Sequence, residues 1–291
     1  LTLLLQTLSL GILLGSVLAL ASSGLTLIFG VMNVINIAHG ALLILAAFIT
    51  WTLWVETGLN PLLAIIITTP VMFLIGLALY VLMLRRVRSA GPSMSVILTF
   101  AIAIVLEGLM GFIWGNTSHA VTPAYFTEAF RIGDLFFPKT QVYGAAAALA
   151  VLSALYLLLT RTWLGRAIRA ASVNPSSASL VGINIGVVTA LAFAIGVATT
   201  GAGGSIISVL YPFLPGTHFV WITRVLGVVV LGGMGSLPGA LIGAMILGIG
   251  ETVTATYIDI QWATTVPYLL LFAVLLFRPQ GIMGMKLRGD A

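Results

Sequence analysis

Long apolar runs separated by three short clusters of basic residues dominate this chain, and they identify its solvent before any other feature is considered. Charged residues occupy 7% of the 291 positions and apolar ones 60%, whereas a soluble domain carries about 25% charged residues. About 20 mainly apolar residues in a helix cross the hydrocarbon core of a bilayer. A helix also satisfies its own backbone polar groups, as lipid requires. The chain therefore reads as an all-α polytopic membrane protein, a single transmembrane domain over 1–291 with no room for a separate soluble one. Apolar spans fall near 8–30, 34–54, 62–84, 94–114, 142–160, 186–210, 218–234, 239–252 and 263–277. The seventh and eighth are short and broken by glycine, so the expected count is about eight or nine. The opening run lacks the basic stretch and cleavage motif of a signal peptide and is expected to be a span. The absence of Cys excludes disulfides, thiolate chemistry and Cys-ligated metals.

Charge sets the orientation. Nine of the twelve Lys and Arg residues are Arg85, Arg86 and Arg88; Arg161, Arg166 and Arg169; and Arg278, Lys286 and Arg288. The positive-inside bias puts these segments in the cytoplasm. The alternate segments, around Glu56, over 115–141 and around Asp259, hold only Arg131 and Lys139 beside Glu56, Glu128, Asp134 and Asp259, and should face outward. Trp51, Trp54, Trp114, Trp221 and Trp262 fall at outer ends of spans and Trp163 at an inner end, where amphipathic rings anchor. The expected topology has the N-terminus out and the C-terminus in. It accounts for the net charge of +5 without nucleic acid as a partner. Within the outer loop 115–141, Phe130–Ile132 and Leu135–Phe137 flank Gly133-Asp134, which predicts a type II′ hairpin. Such a loop either receives a binding protein or caps the bundle.

Two polar or glycine-rich stretches interrupt apolar segments: Asn33 to Gly40, and Gly232 to Gly239. Unwound backbone at membrane depth persists only where protein or a water-filled cavity satisfies it. Paired interruptions at comparable places point to a transport path and an internal repeat, here two broken or re-entrant hairpins entering from the same side. Asn33, Asn36 and His39 either line that path or cap the broken helix ends. No second ligand stands at helical spacing from any of the three His, so no metal site is expected. Small residues crowd the first and sixth spans, around Ser22, Ser23, Gly24 and Thr26 and around Thr199, Thr200, Gly201 and Ser205, either for close helix packing or as walls of a narrow path. Glu107 and Glu251 are intramembrane acids, and such groups are functional candidates by default. Glu107 either relays an ion or takes a structural hydrogen bond, with Arg224 a candidate partner.

The inner loop 161–185 carries careful helix punctuation. Thr162 can cap a basic helix from Trp163 to Ala171; Asn174-Pro175 supplies an N-cap and a first-turn Pro for a second helix to about Val181; Gly182 stops it. The polar face of that second helix is nearly uncharged, which suits docking onto another protein.

Three sets of residues resemble the LivH-type permeases of branched-chain amino acid ABC importers. The first is Gly24 to Met32 continuing through Ile35-Asn36-Ile37-Ala38-His39-Gly40. The second is Arg166-Ala167-Ile168-Arg169-Ala170 with Asn174-Pro175, Ala178 and Leu180-Val181-Gly182-Ile183. The third is Leu231 to Ala240 with Arg278-Pro279-Gln280-Gly281. The resemblance implies a permease subunit in the cell inner membrane, with a second LivM-like permease, two cytoplasmic ATPases and an extracytoplasmic solute-binding protein. It also implies that Arg166, Arg169, Asn174, Pro175, Ser176, Ala178, Leu180 and Gly182 couple to the ATPases. The expected substrate pathway draws on Ser23, Thr26, Asn33, Asn36, His39, Glu107, Thr200 and Ser205. Neither Lys139 nor Lys286 follows a Gly, so there is no Walker A loop. ATP and Mg are expected on the partner subunits, with no cofactor and no catalytic residues in this chain. Same-type permeases also serve urea, short amides and aromatic acids, and an ion-coupled secondary transporter using Glu107 is the alternative from a different class.

Overall fold

The computed structural model of the chain describes residues 1–87, 91–278 and 280–283. Arg88, Pro279, Lys286 and Arg288, invoked above for topology and resemblance, lie outside them. The chain is a helical bundle of α1 (Thr2–Met32), α2 (His39–Thr57), α3 (Pro61–Leu79), α4 (Arg85–Val87), α5 (Pro92–Trp114), α6 (Lys139–Arg161), α7 (Trp163–Val173), α8 (Pro175–Leu180), α9 (Ile185–Leu210), α10 (His218–Gly232), α11 (Leu237–Tyr257), α12 (Ile260–Ala263) and α13 (Val266–Phe277). A π-helical turn, Tyr80–Leu84, carries α3 into α4. Among the described residues, eight helices are long and apolar enough to cross a membrane. The ninth apolar run forms α13, whose 12 residues extend about 18 Å, short of a hydrocarbon core of about 30 Å. The first span is longer than its apolar run near 8–30 suggests, beginning at Thr2.

Side-chain caps start several of these helices. Asn60 accepts from Leu62 N–H, Asn184 from Val187 N–H, Ser236 from Gly239 N–H and Asp259 from Gln261 N–H, filling donors that the first turn leaves free.

Helices α1 and α9 form the centre, buried along most of their length. Their small residues serve close packing. A Cβ at Gly24 would stand 2.1 Å from the Gly196 carbonyl oxygen and 2.2 Å from Thr199 Oγ1, so the two backbones touch where only glycine fits. Ser205 extends the contact sideways, its Oγ 2.7 Å from Thr50 Oγ1 and 2.9 Å from Thr68 Oγ1, tying α9 to α2 and α3.

The outer loop contains the hairpin read from Gly133-Asp134. Strand β1 (Ala129–Ile132) pairs antiparallel with β2 (Leu135–Pro138), Phe130 opposite Phe137. Gly133 has φ 61° while Asp134 keeps a negative φ, the pattern of a II′ turn. Gln6 of α1 holds this hairpin by accepting from Phe136 N–H at 2.8 Å and donating to the Phe136 carbonyl.

Both breaks are real interruptions. Helix α1 ends at Asn33, which is left-handed at φ 52°, and the chain is non-helical until α2; α10 ends at Gly233, φ 101°, followed by Gly235 at φ 84°. The last turn of α1 meets the second break, since a Cβ at Gly30 would lie 3.5 Å from Gly235 Cα. At the second break the chain beyond α13 satisfies carbonyls that the helix end leaves free. Ile282 N–H donates to Leu231 O and Met283 N–H to Gly232 O, both at 2.9 Å. That contact gives a structural reason for the run near Gly281.

Candidate functional site

Two cavities lie along α1. One, of about 590 Å³, is lined by α1 from Ala19 to Val31, by α6, by α7 and by the second break. The other, of about 450 Å³, is lined by α1 from Leu10 to Val17, by the start of α6, by Tyr211 and Arg224, by α11 and by α12. Both are thus bounded by α1, α6 and α11. Beside the second cavity, α1 and α11 touch backbone to backbone: a Cβ at Gly248 would stand 2.5 Å from Gly15 N.

The first cavity is mainly apolar and carries Ser23 and Thr26 from α1, Ser236 from the break, and Arg169 and Ser172 from α7. Ser23 Oγ donates to Leu20 O at 2.8 Å and Thr26 Oγ1 to Ser22 O at 2.9 Å. Arg169 donates to the Leu159 carbonyl at the end of α6. One wall therefore belongs to the segment that leads into α8, so a shift of α7 changes the cavity's shape.

Of the eight residues expected in a pathway, Ser23 and Thr26 line a cavity and the others lie elsewhere. Asn33 is an exposed helix end. Asn36 is buried, and neither of its side-chain polar atoms has a partner among the described residues. His39 is buried with Nε2 2.8 Å from Ala21 O; a carbonyl only accepts, so that nitrogen carries the proton. It caps nothing and links α2 to α1. Thr200 and Ser205 sit in the α9 core, Thr200 bonded to Val197 O. Glu107 pairs with His218, Nε2 to Oε2 3.1 Å, its side chain 32% exposed, and neither residue lines the two cavities. Arg224, expected as its partner, bonds Glu251 instead, Nε to Oε1 3.0 Å. The α10–α11 packing presents it there. Both residues were candidates in the sequence, but their pairing on a cavity wall was not foreseen there. Its one signal was a lone Arg and a lone Glu in neighbouring apolar spans.

The inner-loop punctuation is built as read. Thr162 Oγ1 accepts from Gly165 N–H at 3.1 Å, and Asn174 Oδ1 from Ser177 N–H at 3.1 Å, with Pro175 opening α8. The stop is Gly182 at φ 85°, followed by Ile183 N–H donating to Ala178 O at 3.2 Å. Ala178 is buried, anchoring α8 to the bundle, while Leu180 is 87% and Val181 76% exposed. Ser176, Arg166 and Arg169 are exposed too. Among the described residues no group of three or more His, Asp or Glu could hold a metal ion.

A lipid-suited bundle with two broken hairpins, a cavity walled by one of them, and a capped apolar-tipped helix outside the spans defines a polytopic membrane transport subunit. The chain belongs to the family described as "Branched-chain amino acid transport system / permease component", which matches residues 7–276. It is similar to the high-affinity branched-chain amino acid transport system permease protein LivH of Salmonella typhimurium, 29% identical over 94% of this chain and 93% of that protein. It is also similar to LivH of Escherichia coli K12, 28% identical over 94% and 93%. The permease protein BraD of Pseudomonas aeruginosa is 30% identical, over 96% of this chain and 95% of its own length. No solved structure matches the chain.

Proposed function

We propose that this chain is the permease subunit of an ABC importer in the cell inner membrane and carries branched-chain amino acids by alternating access. Two ATPase subunits bind ATP and Mg and drive it; a second, LivM-like permease completes the path, and an extracytoplasmic binding protein delivers the solute. The observation that carries this reading is α8. It is a six-residue helix with a side-chain cap, one buried anchor at Ala178 and an exposed apolar tip, which is the build of a foot that needs a partner. Its neighbour α7 walls the first cavity, so movement of the foot reaches the second break. The basic ends of the spans support a cytoplasmic foot and an outer N-terminus; α12 and α13 together then make a ninth passage to an inner C-terminus, since the residues after α13 bond the C-terminal end of α10. The groove between α1, α6 and α11 then faces the second permease, and solute passes between the two. The relatives' names favour branched-chain amino acids over urea, amides or aromatic acids.

The test is uptake into vesicles holding the assembled complex. Leucine should accumulate only with ATP hydrolysis and all accessory subunits present. Accumulation by this chain alone under an ion gradient overturns the proposal in favour of an ion-coupled transporter. The Glu107–His218 pair is the one observation on that side, and Glu107→Gln checks it. The amide keeps an acceptor for His218 and removes the titratable charge, so uptake should stay within about twofold of the parent. A loss with normal assembly would assign an ion relay to Glu107.

A further inference from the structure

We infer that the second cavity, walled by Arg224 and Glu251, is a recognition site for a zwitterion, taking the α-carboxylate of an amino acid on the guanidinium and its α-ammonium on the carboxylate. This rests on the permease reading and adds a residue-level site to it.

The ion pair leaves donors and acceptors unused. Arg224 is 9% and Glu251 4% exposed, so both are removed from bulk water and from lipid. A guanidinium has five N–H donors, and Arg224 gives one of them to protein, from Nε to Glu251 Oε1. Among the described residues neither Nη atom has a hydrogen-bond partner, and Glu251 Oε2 has none. Gln141 Oε1, on the same cavity, is buried and unpartnered as well. The Arg224 Cζ lies 5.0 Å from the Trp221 ring and 5.5 Å from the Tyr211 ring, which hold its plane. A buried pair kept only for stability would gain nothing over two well-packed apolar residues. Such a pair with spare donors and acceptors on an open wall is fit to bind something.

Size and chemistry narrow the occupant. The volume of about 450 Å³ falls in the range of small-molecule sites, roughly 300–1,000 Å³. Leu10, Leu13, Leu14 and Ala263 supply an aliphatic wall. A carboxylate alone would satisfy Arg224 and repel Glu251; an amine alone would do the reverse. A solute bearing both charges on one carbon, with an apolar side chain, meets all three surfaces.

The experiment is ATP-driven uptake of radiolabelled L-leucine by the reconstituted complex carrying Arg224→Met/Glu251→Leu. Removing both charges together avoids a lone buried charge, so the variant should co-purify with its partner subunits, while uptake efficiency falls about tenfold or more. Ala255→Phe fills the same cavity from α11 with the ion pair intact, and should lower uptake likewise. If the double variant assembles poorly, Ala255→Phe decides alone. Uptake within about twofold of the parent in an assembled variant overturns the site and leaves the permease reading standing. A parent complex that takes up no leucine with ATP overturns both.

Discussion

Replacing Leu180 and Val181 together by Asp is expected to abolish ATP-driven uptake while the chain itself folds and inserts as before. The two side chains are 87% and 76% exposed, and substitutions at such positions seldom move stability by more than about 0.5 kcal/mol. What holds α8 in place lies elsewhere, in the Asn174 cap, Pro175 and buried Ala178. Against a partner the balance reverses. Burying a Leu or Val contributes about 1.5–3 kcal/mol, and an aspartate forced into the same contact must be desolvated at a further cost. A foot that loses both anchors no longer transmits closure of the ATPases to α7 and the first cavity. The measurements are leucine uptake into vesicles, expected to fall at least about a hundredfold from the lost contact energy, and thermal unfolding of the purified chain, expected to be unchanged. Normal uptake by the double variant would show that α8 is not the coupling element.

The loop could be read from sequence because its signals are local. Thr162, Asn174-Pro175 and Gly182 act within one turn of where they stand, and so does Gly133-Asp134 in the outer hairpin. Spans were legible for a related reason: lipid demands long apolar runs, and the basic clusters separate them. Which face of a span meets which neighbour was not legible. In a soluble helix an apolar stripe marks the core side, whereas α1 and α9 are apolar and small all round, and lipid tails are as apolar as a leucine partner. Thus Ser23 and Thr26 face a cavity while Thr200 and Ser205, similar in kind, lie in the packed centre. The acids show the same limit. Glu107 and Glu251 are each lone charges in apolar sequence, and only the crossing of α10 with its neighbours gives one His218 and the other Arg224.

Gly24→Val should prevent the bundle from assembling. An added Cβ would sit 2.1 Å from the Gly196 carbonyl oxygen, and a Cβ at Gly196 would sit 2.7 Å from Gly24 O, so each backbone occupies the space of the other's missing side chain. Relief requires α1 and α9 to separate along the crossing that carries both the packed centre and one wall of the first cavity. Membrane helices associate through close packing and not through exclusion from water, so nothing compensates the gap. Overpacking of this kind costs about 1–3 kcal/mol in tolerant cores; backbone on both sides puts this site at or above the upper end. The expected result is little monodisperse protein on purification and early thermal inactivation of what remains. Gly108→Ala supplies the comparison. It too lies inside a spanning helix, yet a Cβ there meets nothing within 4 Å, and alanine suits a helix better than glycine by about 1 kcal/mol. That variant should purify like the parent or better. Should the two behave alike, the α1–α9 contact is not made backbone to backbone, and the placement of Ser23 and Thr26 on the cavity wall falls with it.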